Sequence, residues 1–162
     1  MGRKRNPWSI GMLTLFPEMF PGPLGFSLAG RALDEKLWNL NIYDIRRFCE
    51  KSAEVDSSPF GGGNGMVMRA DVIDRVLSTV TQDPNYAQLP VVYMTPRGTP
   101  LTQEKVKIFS QGDGAIILCG RYEGVDERAV AEWGMEEISV GDYVLSGGEP
   151  AAISFVDACV RL

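Results

Sequence analysis

Apolar residues along this chain fall into short runs that alternate with longer stretches of helical period. Trp8 to Phe16, Leu40 to Ile45, Val91 to Met94, Ala115 to Cys119 and Ile138 to Leu145 are compact and rich in β-formers, and read as strands. Between them lie helical patterns. Ser27 is placed to cap a helix reaching about Trp38, and Asp71 opens one with the stripe Val72, Ile73, Val76, Leu77 and Val80, ended by Asp83-Pro-Asn. Thr102 is placed to cap a helix to about Ser110, Val125 to Trp133 forms another, and Pro150 suits the first turn of a last one. Strands alternating with helices predict an α/β fold, a mostly parallel sheet with helices on both faces. Residues 1–162 show no internal repeat and read as one domain.

The strands end in glycine-rich turns, where open α/β sheets place ligands. Three such turns, 94–98, 119–124 and 140–149, converge on one sheet edge with few charged side chains. Backbone groups there suit a neutral or zwitterionic ligand better than a polyphosphate. The cluster Gly61-Gly-Gly-Asn-Gly-Met fits neither dinucleotide nor P-loop spacing, because Met66 stands where GxGxxG needs glycine. It reads as a surface loop within a segment, 46–68, that is long for a connector. Glu123, Asp126 and Glu127 lie beside Arg121 and Arg128. Asp126 and Glu127 suit a helix N-terminus with exposed ion pairs, while Glu123 sits in the turn itself.

Composition narrows the chemistry. The chain has no histidine, which removes serine-histidine, cysteine-histidine and HExxH chemistry. Cys49, Cys119 and Cys159 are odd in number and far apart, as for reduced, buried thiols, and no metal site is expected. The formal net charge of −5 is uneven: residues 1–51 carry 8 Lys and Arg against 5 acids, residues 104–162 carry 5 against 11. An acidic C-terminal third argues against an extended nucleic-acid face there, while Arg3-Lys4-Arg5 reads as a solvated basic tail. No apolar run nears the roughly 20 residues that span a bilayer, so no membrane association and a cytoplasmic location are expected. Apolar surface on the helix from Pro150 and on Phe16 to Phe26 predicts a dimer. Its helical pattern still runs at Leu162 without a stop signal, which predicts that the natural protein continues.

Several stretches together resemble the bacterial tRNA (guanine-N1)-methyltransferases of the SPOUT class. They are Leu13-Thr-Leu-Phe-Pro-Glu-Met-Phe, Phe60 to Met68, Leu118-Cys-Gly-Arg-Tyr-Glu-Gly-Val-Asp-Glu-Arg and Ser139-Val-Gly-Asp-Tyr-Val-Leu-Ser-Gly-Gly-Glu. The resemblance implies a deep trefoil knot in the C-terminal part, bound S-adenosyl-L-methionine, and a homodimer. It also implies methyl transfer to N1 of the guanosine 3′ to the anticodon (position 37) of tRNA. It places Thr95, Pro96 and Gly98 on the adenosine wall. Gly120 with Val140, Gly141, Asp142, Tyr143, Val144 and Leu145 would make the main cofactor contacts, and Gly147 and Gly148 would close the pocket. Glu123 resembles the family's guanosine-recognising glutamate. Arg161 resembles the arginine near the guanine O6, where a cation offsets charge developing as the N1 proton leaves. The family's general-base aspartate and its C-terminal tRNA-binding helical domain lie beyond Leu162. Two other readings stay open: a non-catalytic nucleotide-binding module, and a carboxylate hydrolase built on Glu123 and Asp142.

Overall fold

The fold was obtained as a computed structural model, which describes residues 6–50, 55–59 and 61–162. Arg3, Lys4, Arg5 and Phe60, which figure in the sequence reading, lie outside the described residues. In chain order the elements are β1 (Trp8–Thr14), α1 (Ser27–Asp34), β2 (Trp38–Asp44), β3 (Asp56–Ser57), β4 (Val67–Met68), α2 (Ala70–Val80), β5 (Val91–Pro100), α3 (Gln103–Gln111), β6 (Gly114–Cys119), α4 (Glu127–Glu132), β7 (Glu136–Ser139) and α5 (Glu149–Val160).

Five strands form one parallel sheet in the order β2-β1-β6-β5-β7, and β3 with β4 makes a small antiparallel pair. The central strand explains the two-sided core. Along β6, Ala115, Ile117 and Cys119 join a cluster with Phe109 of α3 and Phe155 of α5, and Ile116 and Leu118 join the opposite cluster with α2 and α4. A strand covered on both faces must be apolar at every position, and all six of its residues are buried.

Three boundaries differ from the sequence reading. Helix α1 ends at Asp34 rather than Trp38, because Lys36 takes a left-handed φ of 57°. There Leu37 N–H bonds the Ala32 carbonyl (2.9 Å) and Lys36 N–H that of Leu33 (3.0 Å), which is the Schellman arrangement without its usual glycine. Trp38 is thereby free to open β2, where it pairs with Trp8 and donates its indole N–H to the Ala29 carbonyl. Ser27 caps nothing with its side chain, whereas Thr102 accepts from Lys105 N–H as expected.

Strand β5 does not stop at Met94. Met94 and Thr99 both pair with Ile138, so 95–98 bulge outward and the strand then resumes. Strand β7 in turn ends at Ser139, not Leu145: Val144 stands 83% exposed, with no strand beside it. Helix α5 also departs from expectation. Its apolar residues Ala151, Ala152, Phe155, Val156 and Cys159 are buried within the chain, whereas Phe26, at the end of the other stretch named, is exposed together with Leu28. Two glycines let backbone press on backbone: Gly98 on Glu137 and Ile138, and Gly148 on Cys119 and Gly120.

Candidate functional site

A cavity of about 660 Å³ opens beside the bulge of β5 and at the carboxyl ends of β6 and β7. Its first wall is the β5 bulge, which carries Thr95, Pro96 and Arg97. The second is the turn after β6. Gly120 is there because a Cβ would sit 2.7 Å from the Tyr93 ring, itself almost fully buried. Burial pushes the Tyr93 phenol up, and its oxygen accepts from Val125 N–H at 3.2 Å, pinning the turn from beneath. Glu123 N–H bonds the Met66 carbonyl, and Met68 N–H bonds that of Gly124 (both 2.9 Å). The glycine loop thus docks on this turn, with the Glu123 side chain filling the place of a Cβ at Gly65.

The third wall is 140–148. Ser139 Oγ donates to the Gly141 carbonyl (2.8 Å), the Tyr143 ring lies over Gly141, and Gly148 N–H bonds the Gly120 carbonyl (2.9 Å). Tyr143, Val144 and Leu145 hold apolar side chains open to solvent. At the mouth, Arg97 pairs with Glu127 and Glu137. Asp126 caps α4 by accepting from Arg128 N–H, and the Arg128 guanidinium beside it holds its carboxyl below the usual range.

Of the residues singled out in the sequence, Thr95, Pro96, Gly120, Glu123, Val140, Gly141, Tyr143, Val144, Leu145, Gly147 and Gly148 line this cavity. Gly98, Asp142 and Arg161 do not. Gly98 serves the return of the bulge, since a Cβ would meet the Glu137 and Ile138 backbone at 2.5 Å. Asp142 is exposed off the wall, so Glu123 and Asp142 do not face one another across a common cleft, as the hydrolase reading required. Arg161 caps the far end of α5, thirteen residues on from Gly148, or about 20 Å at the helical rise.

Beneath the cavity the structure brings together residues that the sequence reading passed over. Arg121 is not an exposed partner of its neighbours but contacts the buried Glu149, which also accepts from Thr14. A polar Thr14 closing an apolar strand and a glutamate directly after Gly147-Gly148 were the available signals. Cys119 and Cys159 are buried and form no disulfide among the described residues, and burial pushes Cys119 well up and Cys159 up to about 12. Among the described residues no cluster of three or more metal-binding side chains occurs, and no helix is long and apolar enough to cross a membrane.

A parallel sheet flanked by helices, with a cavity walled by loops along one sheet edge, is the architecture of an α/β domain with a small-molecule-sized site. Residues 8–162 match the family described as tRNA (Guanine-1)-methyltransferase TrmD, and the chain belongs to that family. It is 54% identical over 158 residues to the tRNA (guanine-N(1)-)-methyltransferase of Zymomonas mobilis, covering 97% of this chain and 63% of that protein. With the Brucella ovis protein of the same name it shares 58% over 152 residues, 93% of this chain and 61% of that one. The crystal structure of tRNA (m1G37) methyltransferase from Aquifex aeolicus superposes with a TM-score of 0.87 at 36% identity, over 97% of this chain and 70% of that one. The chain therefore spans somewhat over 60% of these curated relatives.

Proposed function

We propose that this domain binds S-adenosyl-L-methionine in the cavity, and that the protein transfers its methyl group to N1 of the guanosine at position 37 of tRNA in the cytoplasm. The observation that carries the reading is the cavity itself: three backbone-rich loops along one sheet edge, in a chain of this family. Its volume of about 660 Å³ lies within the ~300–1,000 Å³ of small-molecule sites. Apolar faces of Val140 and Leu145 suit an adenine ring, and backbone groups near Thr95 and Gly141 suit ribose hydroxyls and a zwitterion. Bound there, S-adenosylmethionine supplies an electrophilic methyl on a cationic sulfonium. The wall's three guanidiniums are matched, Arg97 by Glu127, Arg128 by Asp126 and Arg121 by Glu149, so Glu123 is the carboxylate left to meet that positive charge.

Guanine N1 carries a proton at neutral pH and attacks only as that proton leaves. In this reading Glu123, which lines the cavity and whose backbone is fixed by Met66, binds the base edge. Arg161 does not reach the cavity along its own helix. In this reading it stabilises O6 in the site of a second copy, in a homodimer for which exposed Phe26 and Leu28 provide apolar contact. The proton acceptor is the aspartate that the resemblance places after Leu162, beside a helical domain that holds the tRNA.

Isothermal calorimetry with S-adenosylmethionine, its demethylated product, ATP and NAD tests the donor pocket. Binding of the first two alone is expected. Equal binding of ATP or NAD would favour a non-catalytic nucleotide module instead.

A further inference from the structure

Glu149 opens α5 with its carboxylate wholly buried, at 0% exposure. Its Oε1 accepts from the Thr14 hydroxyl at 2.7 Å, and its Oε2 lies 2.8 Å from Arg121 Nη2. That ion pair is close but not aligned as a hydrogen bond, which leaves Oε2 and Arg121 Nε without one among the described residues. Arg121 is held on its other sides: Nη1 donates to the Ser146 carbonyl at 3.1 Å, and the guanidinium lies 4.3 Å from the Phe16 ring centroid. Gly147 presses on the same group, with the place of a Cβ 2.2 Å from Nε. One buried pair thus joins the end of β1, the turn after β6 and the start of α5.

Such a pair is a poor source of stability, because desolvating two charges offsets their attraction, and apolar replacements of similar size are often neutral. Geometry is what it supplies. Segment 142–148 is tied to the turn after β6 by two hydrogen bonds among the described residues, Gly148 N–H to Gly120 and Arg121 to Ser146. Arg121 itself lines the cavity, while Glu149 stands behind it.

We propose that Arg121 and Glu149 are positioning residues: their buried pair clamps the 142–148 wall onto the turn after β6 and so sets the shape of the cavity that the methyl donor meets. The proposal rests on the donor-binding reading for its ligand but not for its first readout, which needs no ligand. Arg121→Lys keeps the charge and loses the fork that reaches Ser146 and Glu149 together. In that variant, amide hydrogen exchange across 141–148 should quicken about tenfold, and the affinity for S-adenosylmethionine should fall by about the same factor, as for one charge-assisted hydrogen bond. Exchange across the middle of α5 should stay at the parent rate. Arg121→Met/Glu149→Met removes the buried charges together. It should melt near the parent temperature yet keep the weak binding and fast exchange, whereas a purely structural pair would recover both. Parent-like exchange in Arg121→Lys, or recovery of affinity in the double variant, overturns the proposal. So does failure of both variants to fold, which would make the pair part of the framework. If the parent chain binds no donor, the functional reading fails, and the exchange comparison alone decides the clamp.

Discussion

Two glycine-rich segments meet the turn after β6, and they use glycine for opposite reasons. In the loop 61–65, a Cβ at Gly61 or Gly62 would meet nothing within 4 Å, but their φ angles of 103° and 89° lie where side-chain-bearing residues rarely go. In 147–148 the backbone angles are ordinary and space is absent: a Cβ on Gly148 would sit 2.9 Å from Cys119 Cα and Gly120 N. The first segment needs conformational freedom, the second needs room. Composition alone makes them look alike. What distinguishes them is which backbone lies opposite, and that is set by the sheet order.

The comparison breaks most readily at the crowded glycines. Gly98→Ala and Gly148→Ala force Cβ atoms against backbone that cannot swing aside, so each should lower unfolding stability by about 3 kcal/mol, the upper end for overpacking. The urea midpoint measures it, and a shift below 1 kcal/mol would mean the turns can slide apart. Gly120→Val belongs with them. A side chain there would meet the Tyr93 ring before any ligand.

A smaller effect is expected one layer down. Thr14→Val leaves a buried Glu149 oxygen without its donor and should cost about 1–2 kcal/mol. Thr14→Ser, which keeps the hydroxyl, should recover most of this in the same denaturation series.

In the open loop, Gly61→Ala meets no atom and only an unfavourable φ, so about 1 kcal/mol is the expected loss. A loss equal to that of Gly148→Ala would erase the distinction between the two segments. The smallest effect concerns pH. The Arg128 hydrogen bond lowers the folded-state Asp126 carboxyl below its unfolded value of 3.8. Its contribution is therefore present above about pH 4 and lost as the pH falls through the folded value. Asp126→Asn should shallow the acid limb of a stability profile and leave its shape between pH 5 and 7 unchanged.

The parts legible in the sequence are those whose causes are local. The apolar run 115–119, the stripe of α2, the Thr102 cap and Pro150 in the first turn of α5 each follow from neighbours within a few residues. Glycine turns at strand ends pointed to the right edge of the sheet. What escaped depends on distant partners or on an unusual residue in a usual role. Lys36 takes a glycine-like angle, so α1 stops without its signal. The β5 bulge exists because Met94 and Thr99 share one partner on β7. Glu149 finds Thr14 across 135 residues, which no spacing rule reaches. Asp142 lies in a matching motif between the lining residues Gly141 and Tyr143 but is itself off the cavity wall, because a motif marks a segment and not the side of it that faces the cavity.

The central claim is that the methyl donor occupies the cavity beside the bulge of β5 and at the ends of β6 and β7. Hydrogen exchange with and without saturating S-adenosylmethionine tests it directly, because each wall is a separate backbone segment. Protection is expected at 95–97, 120–124 and 140–148, with the open loop 61–65 and the distant hollow around Asn39, Asn41 and Tyr86 unchanged. Protection centred on that hollow, or none at 140–148 while the donor is bound, would contradict the account.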